Sequence, residues 1–377
     1  MTQERISYID LGAGIMILWM ILGHAFSASH WMEIGLHELW NVTDASLIPE
    51  GVHAKIGPDG KIRAMGMSAY IPSVLFFFMP WFFYKSGQFF RKRSIKDEWK
   101  KDWDKLIRQF LIWSAIGYVL HITFMSINGV ITLRNATYSV LRGFFLNGHI
   151  ELNVPLWFLF TLFLVRQVAN ILLPQENDRY YWAKCAAIIV IGQLVAFGCY
   201  CTDFRLMPLW VANGSAGLAY FTLGYCLSKY ETKWWLLVPC VLGYAACCIW
   251  GFPDVGMHSN ECTSALKYIL SLPGGVAGIV SFNVLCRYIS KYLHYLSVPF
   301  EYVGKYAMII YVSHGILYIT IQRILNSFEL TSLMPYTLWL ILGAYVLFLP
   351  AFCYFIPRHI PRSCSGYGAW LSVRRNG

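Results

Sequence analysis

The sequence predicts an all-α fold, a polytopic bundle of about ten membrane-spanning helices built as one integral domain over residues 1–377. Three observations carry that prediction. Apolar residues make up 57% of the chain and charged residues only 13%, too little charge to wet the surface of a soluble protein of 377 residues. The apolar residues fall into repeated blocks of about 20, the length that crosses a hydrocarbon layer of roughly 30 Å as a helix. Basic residues collect in every second connection between the blocks, the pattern that holds short loops on the cytoplasmic side.

The first block, at about 8–29, is too long for a removable signal peptide and lacks the small-residue cleavage site, so it reads as a permanent span. A long, irregular outer connection of about 30–68 follows, carrying Glu33, Glu38, Asp44 and Glu50. The second span covers about 69–90. After it comes the densest basic patch in the chain, read as a cytoplasmic loop of about 91–106: Arg91, Lys92, Arg93, Lys96, Lys100, Lys101 and Lys105, with Arg108 just beyond. The third span is placed at about 107–127. The apolar stretch at about 138–147 (YSVLRGFFLN) is too short to cross and reads as an interfacial or re-entrant segment. Further spans are placed at about 155–174, 183–202, 208–228, 234–252, 266–290, 299–323 and 334–357. Their basic connections hold Arg166 with Arg179 and Lys184, Lys229 with Lys233, and Arg287 with Lys291 and Lys305. The intervening ones hold Asp203, Asp254 and Glu261, and a cytoplasmic tail of about 358–377 adds Arg358, Arg362, Arg374 and Arg375. An even number of spans puts both termini in the cytoplasm.

The net charge of +10 is therefore mostly a topology signal. Nucleic-acid binding is a poor reading of it, because the cations are scattered over several loops. Cys199-x-Cys201 and Cys247-Cys248 do not match zinc spacings, and no phosphate loop, nucleophile elbow or His-Glu-x-x-His appears. No metal site is assigned, although His30, Glu33 and His37 would share one face if that segment is helical. Cys201 and Cys262, both on outer connections, pair if that side is oxidising.

Ionisable groups inside the spans are the candidates for chemistry. Asp10 sits near the cytoplasmic start of the first span and His24 about 21 Å further along, in the outer part of the membrane. His24 is either a residue snorkelling to the outer interface or a base facing the bundle interior, with a pKa suited to taking a proton at neutral pH. His314 lies mid-membrane in the ninth span with Tyr311 one turn earlier; it lines a channel or is a satisfied interhelical histidine. Lys85, inside the second span, needs a carboxylate, a phosphate or water. His149 and Glu151 sit on the outer side beside Trp157, where they hold sugar hydroxyls with Trp157 stacking on a ring, or belong to a solvated loop and the core.

Six fragments carry a family resemblance: RISYIDLGAGIMILWMILGH, FFYKSGQFFRKR, KLIRQFLIWS, VPLWFLFTLFLV, YFTLGYCLSK and VGKYAMIIYVSHGILY. In this order, from Arg5 to about Tyr318, they resemble the membrane proteins of acyltransferase family 3. The resemblance implies transfer of an acyl group, acetyl first among the choices, from cytoplasmic acyl-coenzyme A to a hydroxyl of a cell-envelope or exported glycan. It implies His24 as general base and acyl-CoA as a co-substrate with no bound cofactor. By position, Asp10 is either a catalytic support or an acid favouring the N-terminal end of its helix, and His314, if it lines the channel, bonds the donor or positions His24. The donor's phosphates need cations where it enters, and Lys85, Arg91, Arg93, Lys105 and Arg108 are the residues placed to supply them, with Tyr311 further along; topology determination is the other reading for the loop cations. His149, Glu151 and Trp157 are the acceptor-side candidates. The implied location is a multi-pass protein of the bacterial inner membrane, with the bilayer and a glycan or lipid-linked saccharide as partners. One departure matters: the family has a basic residue eleven positions before the histidine, and here that position is Ala13. The alternative is a non-enzymatic glycan exporter on the same helices.

Overall fold

The computed structural model describes residues 2–25, 53–56, 62–65, 75–127, 129, 131–149, 151–201, 208–227, 234–249 and 265–328. Helix α1 (Thr2–Ala25) carries the first apolar block. Within the long connection, β1 (His53–Ile56) and β2 (Ile62–Met65) pair antiparallel, with His53 opposite Met65 and Ile56 opposite Ile62. The connection read as irregular thus contains a hairpin, and the intervening Pro58-Asp59-Gly60 are the turn-forming residues that signal one.

Helix α2 (Phe78–Gln88) has Pro80 in its first turn, where no intrahelical N–H bond is lost, and every residue from Met79 to Lys85 is buried. The segment read as a basic loop is largely α3 (Ile95–Asp102). Ser94 caps it, its Oγ accepting from the Asp97 N–H at 3.2 Å, with Asp97 and Glu98 in the first turn and Lys100 and Lys101 in the last, each favouring the helix dipole. A π-helical turn (Trp103–Ile107) joins it to α4 (Arg108–Ile127). Then come α5 (Leu133–Arg142), a π turn (Gly143–Asn147) and a 3₁₀ segment (Glu151–Leu156) kinked at Asn153, whose φ is −136° and ψ 60°. Helices α6 (Trp157–Leu172), α7 (Tyr181–Cys201), α8 (Leu209–Leu227), α9 (Leu237–Ile249) and α10 (Ala265–Tyr292) follow the placement expected from hydropathy.

The ninth expected span is different. Residues 299–323 do not form one helix: α11 (His294–Lys305) ends and α12 (Ala307–Ser327) begins afresh, with the Tyr306 N–H turned back to the Val303 carbonyl at 3.0 Å. Gly304, near the end of α11, packs closely on α1. A Cβ there would collide with the carbonyl of Asp10, and one on Gly14 would collide with the carbonyl of Phe300, so α11 is held backbone to backbone along α1. Among the described residues, five helical stretches are long and apolar enough to cross a membrane: Ile95–Ile127, Asn153–Leu172, Tyr181–Cys199, Tyr268–Tyr292 and Ala307–Leu325. The span expected at 334–357 lies outside the described residues.

The core runs around α2. Trp81, Phe83 and Tyr84 are almost fully buried with Phe158 of α6, Tyr220 and Phe221 of α8, and Tyr311 of α12. Helices α2 and α8 touch through reciprocal glycines: Gly87 lies against the Phe221 carbonyl and Gly224 against the Tyr84 carbonyl. Trp81 adds a hydrogen bond from Nε1 to Asn283 Oδ1 of α10 at 2.9 Å.

Candidate active site

Three consecutive residues of α2 face three different helices. Lys85 points its Nζ toward the ring of Tyr8 on α1, 5.1 Å from the centroid. Ser86 accepts a hydrogen bond from Arg166 of α6 at 3.2 Å, and Gly87 meets the backbone of α8. The 100° step between helical neighbours makes this three-way junction possible. Lys85 is 1% exposed; its Nζ donates to Gln88 Oε1 at 2.8 Å and lies 5.8 Å from the Trp81 ring centroid. The amine expected to need a carboxylate, phosphate or water thus has an amide oxygen and two aromatic faces around it. The guanidinium of Arg287 covers the Tyr8 ring at 4.6 Å and donates to its hydroxyl at 3.2 Å, so two cations share one ring.

On the α6 side lies a buried ionic cluster. Arg166 Nε reaches both carboxylate oxygens of Asp102 at 2.9 Å, and its Nη2 pairs with Glu98. Gln167 donates to Asp102 at 3.0 Å, Lys101 to Glu98 at 3.3 Å, and Arg93 Nε stands 3.5 Å from the other Glu98 oxygen. Lys105 is a charged neighbour of the same group. Four cations (Arg93, Lys101, Lys105, Arg166) against two carboxylates leave a surplus of positive charge, with Glu98 and Asp102 at 0% and 2% exposure. Asn170 fixes the approach by bonding both the N–H and the carbonyl of Arg93, each at 3.0 Å. From sequence Arg166 reads only as a topology marker, and Glu98 and Asp102 are not singled out; their i, i+4 spacing on a capped helix is the signal that points to them.

Beside α1, a chain of hydroxyls ends on Glu301 of α11. Ser290 donates to Ser7 at 2.7 Å, and Ser7 and Ser297 each donate to Glu301 Oε1 at 2.5 Å. Asp10, half-buried, has Lys305 and Glu301 as charged neighbours. Ala13 is buried. Lys85 lies along the Tyr8–Gly12 face of α1, since Trp81, which it covers, is also the residue that a Cβ on Gly12 would meet at 2.8 Å. His24 falls in the last turn of α1; its side chain is outside the described residues.

In the middle of α12, His314 is 2% exposed and its Nδ1 lies 2.6 Å from the Tyr311 carbonyl. A carbonyl can only accept, so Nδ1 carries the proton and, in the neutral ring, the basic lone pair is on Nε2. The Tyr311 hydroxyl donates to the Pro155 carbonyl, its ring 5.8 Å from that of His314. Asn153 of the 3₁₀ segment, fully buried, donates Nδ2 to the Val312 carbonyl at 3.0 Å. Its Oδ1 has no hydrogen-bond partner among the described residues and lies 2.9 Å from where a Cβ on Gly315 would sit. The segment before α6 is thus folded against the centre of α12. Nothing in the sequence singled out Asn153.

The remaining expected residues are more scattered. Arg91 and Arg108 are exposed. Trp157 is 7% exposed and packed edge-on to Phe158 at 6.1 Å, which leaves little ring face for a sugar. His149 is half-buried, its backbone N–H on the Gly143 carbonyl at 3.0 Å. The side chain of Glu151, the segment holding His30, Glu33 and His37, and the Cys201–Cys262 pairing lie outside the described residues.

No curated protein and no solved structure matches the chain. A family model described as an acyltransferase domain, Acyl_transf_3, matches residues 6–355, a stretch that takes in α1, the three-way junction of α2, the ionic cluster and the buried histidine of α12. This chain belongs to acyltransferase family 3, a family of membrane acyltransferases.

Proposed function

We propose that the chain is an O-acyltransferase, with acetyl as the acyl group, moving it from cytoplasmic acyl-coenzyme A to a hydroxyl of a cell-envelope glycan across a bacterial inner membrane, as one integral domain with both termini in the cytoplasm. The family match over residues 6–355 is the observation that carries this reading. His24 takes the acceptor's hydroxyl proton as that oxygen bonds to the thioester carbonyl carbon. The carbon–sulfur bond breaks, and the departing thiolate takes up a proton. Such a base contributes about 10²–10⁴-fold. The surplus positive charge around Arg93, Lys105 and Arg166 supports donor entry at that end, with Arg91 and Arg108 exposed beside it. Lys85, on the Tyr8–Gly12 face of α1, supplies the cation missing at Ala13. His314, with its proton on Nδ1, offers Nε2 to an amide N–H of the donor's arm, and Tyr311 positions it. Asp10 supports the donor end of α1, and His149, Glu151 and Trp157 stand on the acceptor side.

The test is acyl transfer from radiolabelled acetyl-coenzyme A in proteoliposomes, with His24→Ala and His314→Ala alongside. Transfer falls by about 10²–10⁴-fold in His24→Ala; unchanged transfer removes the general-base role. The buried methyl group of Ala13 favours a second reading, a glycan exporter on the same scaffold. Glycan flux without transfer to any acceptor would select it. The orientation requires a cysteine at Glu33, but not at Lys96, to react with impermeant reagents from outside.

A further inference from the structure

Helix α3 is one of the most highly charged described segments, yet one of its faces is exposed and apolar. Six of its eight residues, IKDEWKKD, are ionic. Two of its three acids, Glu98 and Asp102, turn inward to Arg166. The third, Asp97, is exposed and bonded to Ser94, on the side of the helix opposite Ile95. Ile95, Trp99 and, in the π turn that follows, Trp103 stand 64%, 49% and 43% exposed. These three are spaced i, i+4, i+8, and at 100° per residue they cover an arc of about 80°. The two indole rings lie nearly parallel, 18° apart with centroids 6.5 Å from each other. The next arc, about 20–60° further round, holds Lys96 and Lys100. Both are exposed and neither makes an ion pair among the described residues. Two inward acids, half-exposed tryptophans (Trp99 resting edge-on against Phe163 at 5.0 Å) and a flanking row of lysines suit a helix lying in a bilayer interface, its rings at the headgroup level and its ammonium groups among phosphates. Helix α3 also leads through the π turn into α4, where Leu111 and Val119 are exposed apolar residues that suit lipid.

We propose that α3 and its π turn form a binding site for anionic phospholipid headgroups, with Ile95, Trp99 and Trp103 seated at the acyl boundary and Lys96 and Lys100 on the phosphate. The assignment separates two sets of cations within one segment: Arg93, Lys101 and Lys105 turn toward the Arg166 cluster, and Lys96 and Lys100 turn toward lipid.

Native mass spectrometry of the full chain in mild detergent, titrated with phosphatidylglycerol or phosphatidylcholine, tests the site. The wild type retains phosphatidylglycerol preferentially. Lys96→Gln with Lys100→Gln lowers that preference by about fivefold per lysine, whereas Lys184→Gln leaves it unchanged. Trp99→Gln with Trp103→Gln lowers retention of both lipids. All four positions are exposed, and an unshifted melting curve verifies that each variant is folded. The proposal is overturned if the double lysine variant keeps the wild-type preference, if inorganic phosphate displaces the lipid at equal concentration, or if the tryptophan variant loses a second copy of the chain instead of lipid. Loss of coenzyme A binding in the lysine variant with lipid retention intact would reassign both lysines to the donor.

Discussion

At the basic end, Arg166 is enclosed by carboxylates; at the centre of α12, His314 and Asn153 are held by backbone carbonyls. Both regions are buried, and each is satisfied by a different kind of partner. In the Arg166 cluster, Arg93 and Lys101 are partly exposed, so solvent lowers the cost of assembling several charges and a six-member ion cluster with a positive surplus is tolerable. Deep in the bundle the same ions would be far more expensive. The polar side chains around α12 bond to carbonyl oxygens that a helix already presents. The first region is therefore suited to attracting charge, and the second to fixing the direction of a ring or an amide.

Substitutions rank the two regions by what each leaves stranded. Arg166→Ala abandons two buried carboxylates and should destabilise the chain by about 3–5 kcal/mol, read from melting in detergent. Arg166→Lys, a point charge without the fork, should fall between wild type and alanine. A loss below about 1 kcal/mol would mean the cluster behaves like a surface ion pair. Gly304→Ala drives a methyl group into the Asp10 carbonyl and should cost about 1–3 kcal/mol, with α11 loosened from α1 in hydrogen exchange of residues 294–305. Asn153→Ala gives up one neutral hydrogen bond to Val312 and should cost about 0.5–1.5 kcal/mol. If it matched Arg166→Ala, the contrast between charged and neutral anchoring would fail. Smallest is Arg93→Gln, which removes a long ion pair from a half-exposed guanidinium: about 0–1 kcal/mol, vanishing at high salt.

Much of the helix order was legible because a membrane imposes one requirement, a block of apolar residues, and the ends of α4, α6, α7 and α8 fall within a few residues of the hydropathy limits. Charge was harder to read. A loop count treats Arg166 as one more cation at a membrane boundary, but its role depends on Glu98 and Asp102, 68 and 64 positions away in sequence. The break between α11 and α12 is harder to read: the apolar run that can span begins only at Ala307, and the residues before it, with Glu301 and Lys305, form a separate helix packed on α1 through Gly304. His314 and Tyr311 could be paired from their spacing along one helix. Asn153 could not, because its partner lies 159 positions further along.

The junction at Lys85, Ser86 and Gly87 bears on how this segment can change over time. Point substitutions there alter one neighbour each. Inserting a single residue upstream in α2 would instead rotate all three by 100°, bringing a lysine round toward Arg166 and a side chain into the space that the Phe221 carbonyl occupies. Length variation among descendants of this chain should therefore be purged between Phe78 and Gly87 and accumulate in the connections, a pattern that could be scored directly by recovering functional clones from a library of single-residue insertions.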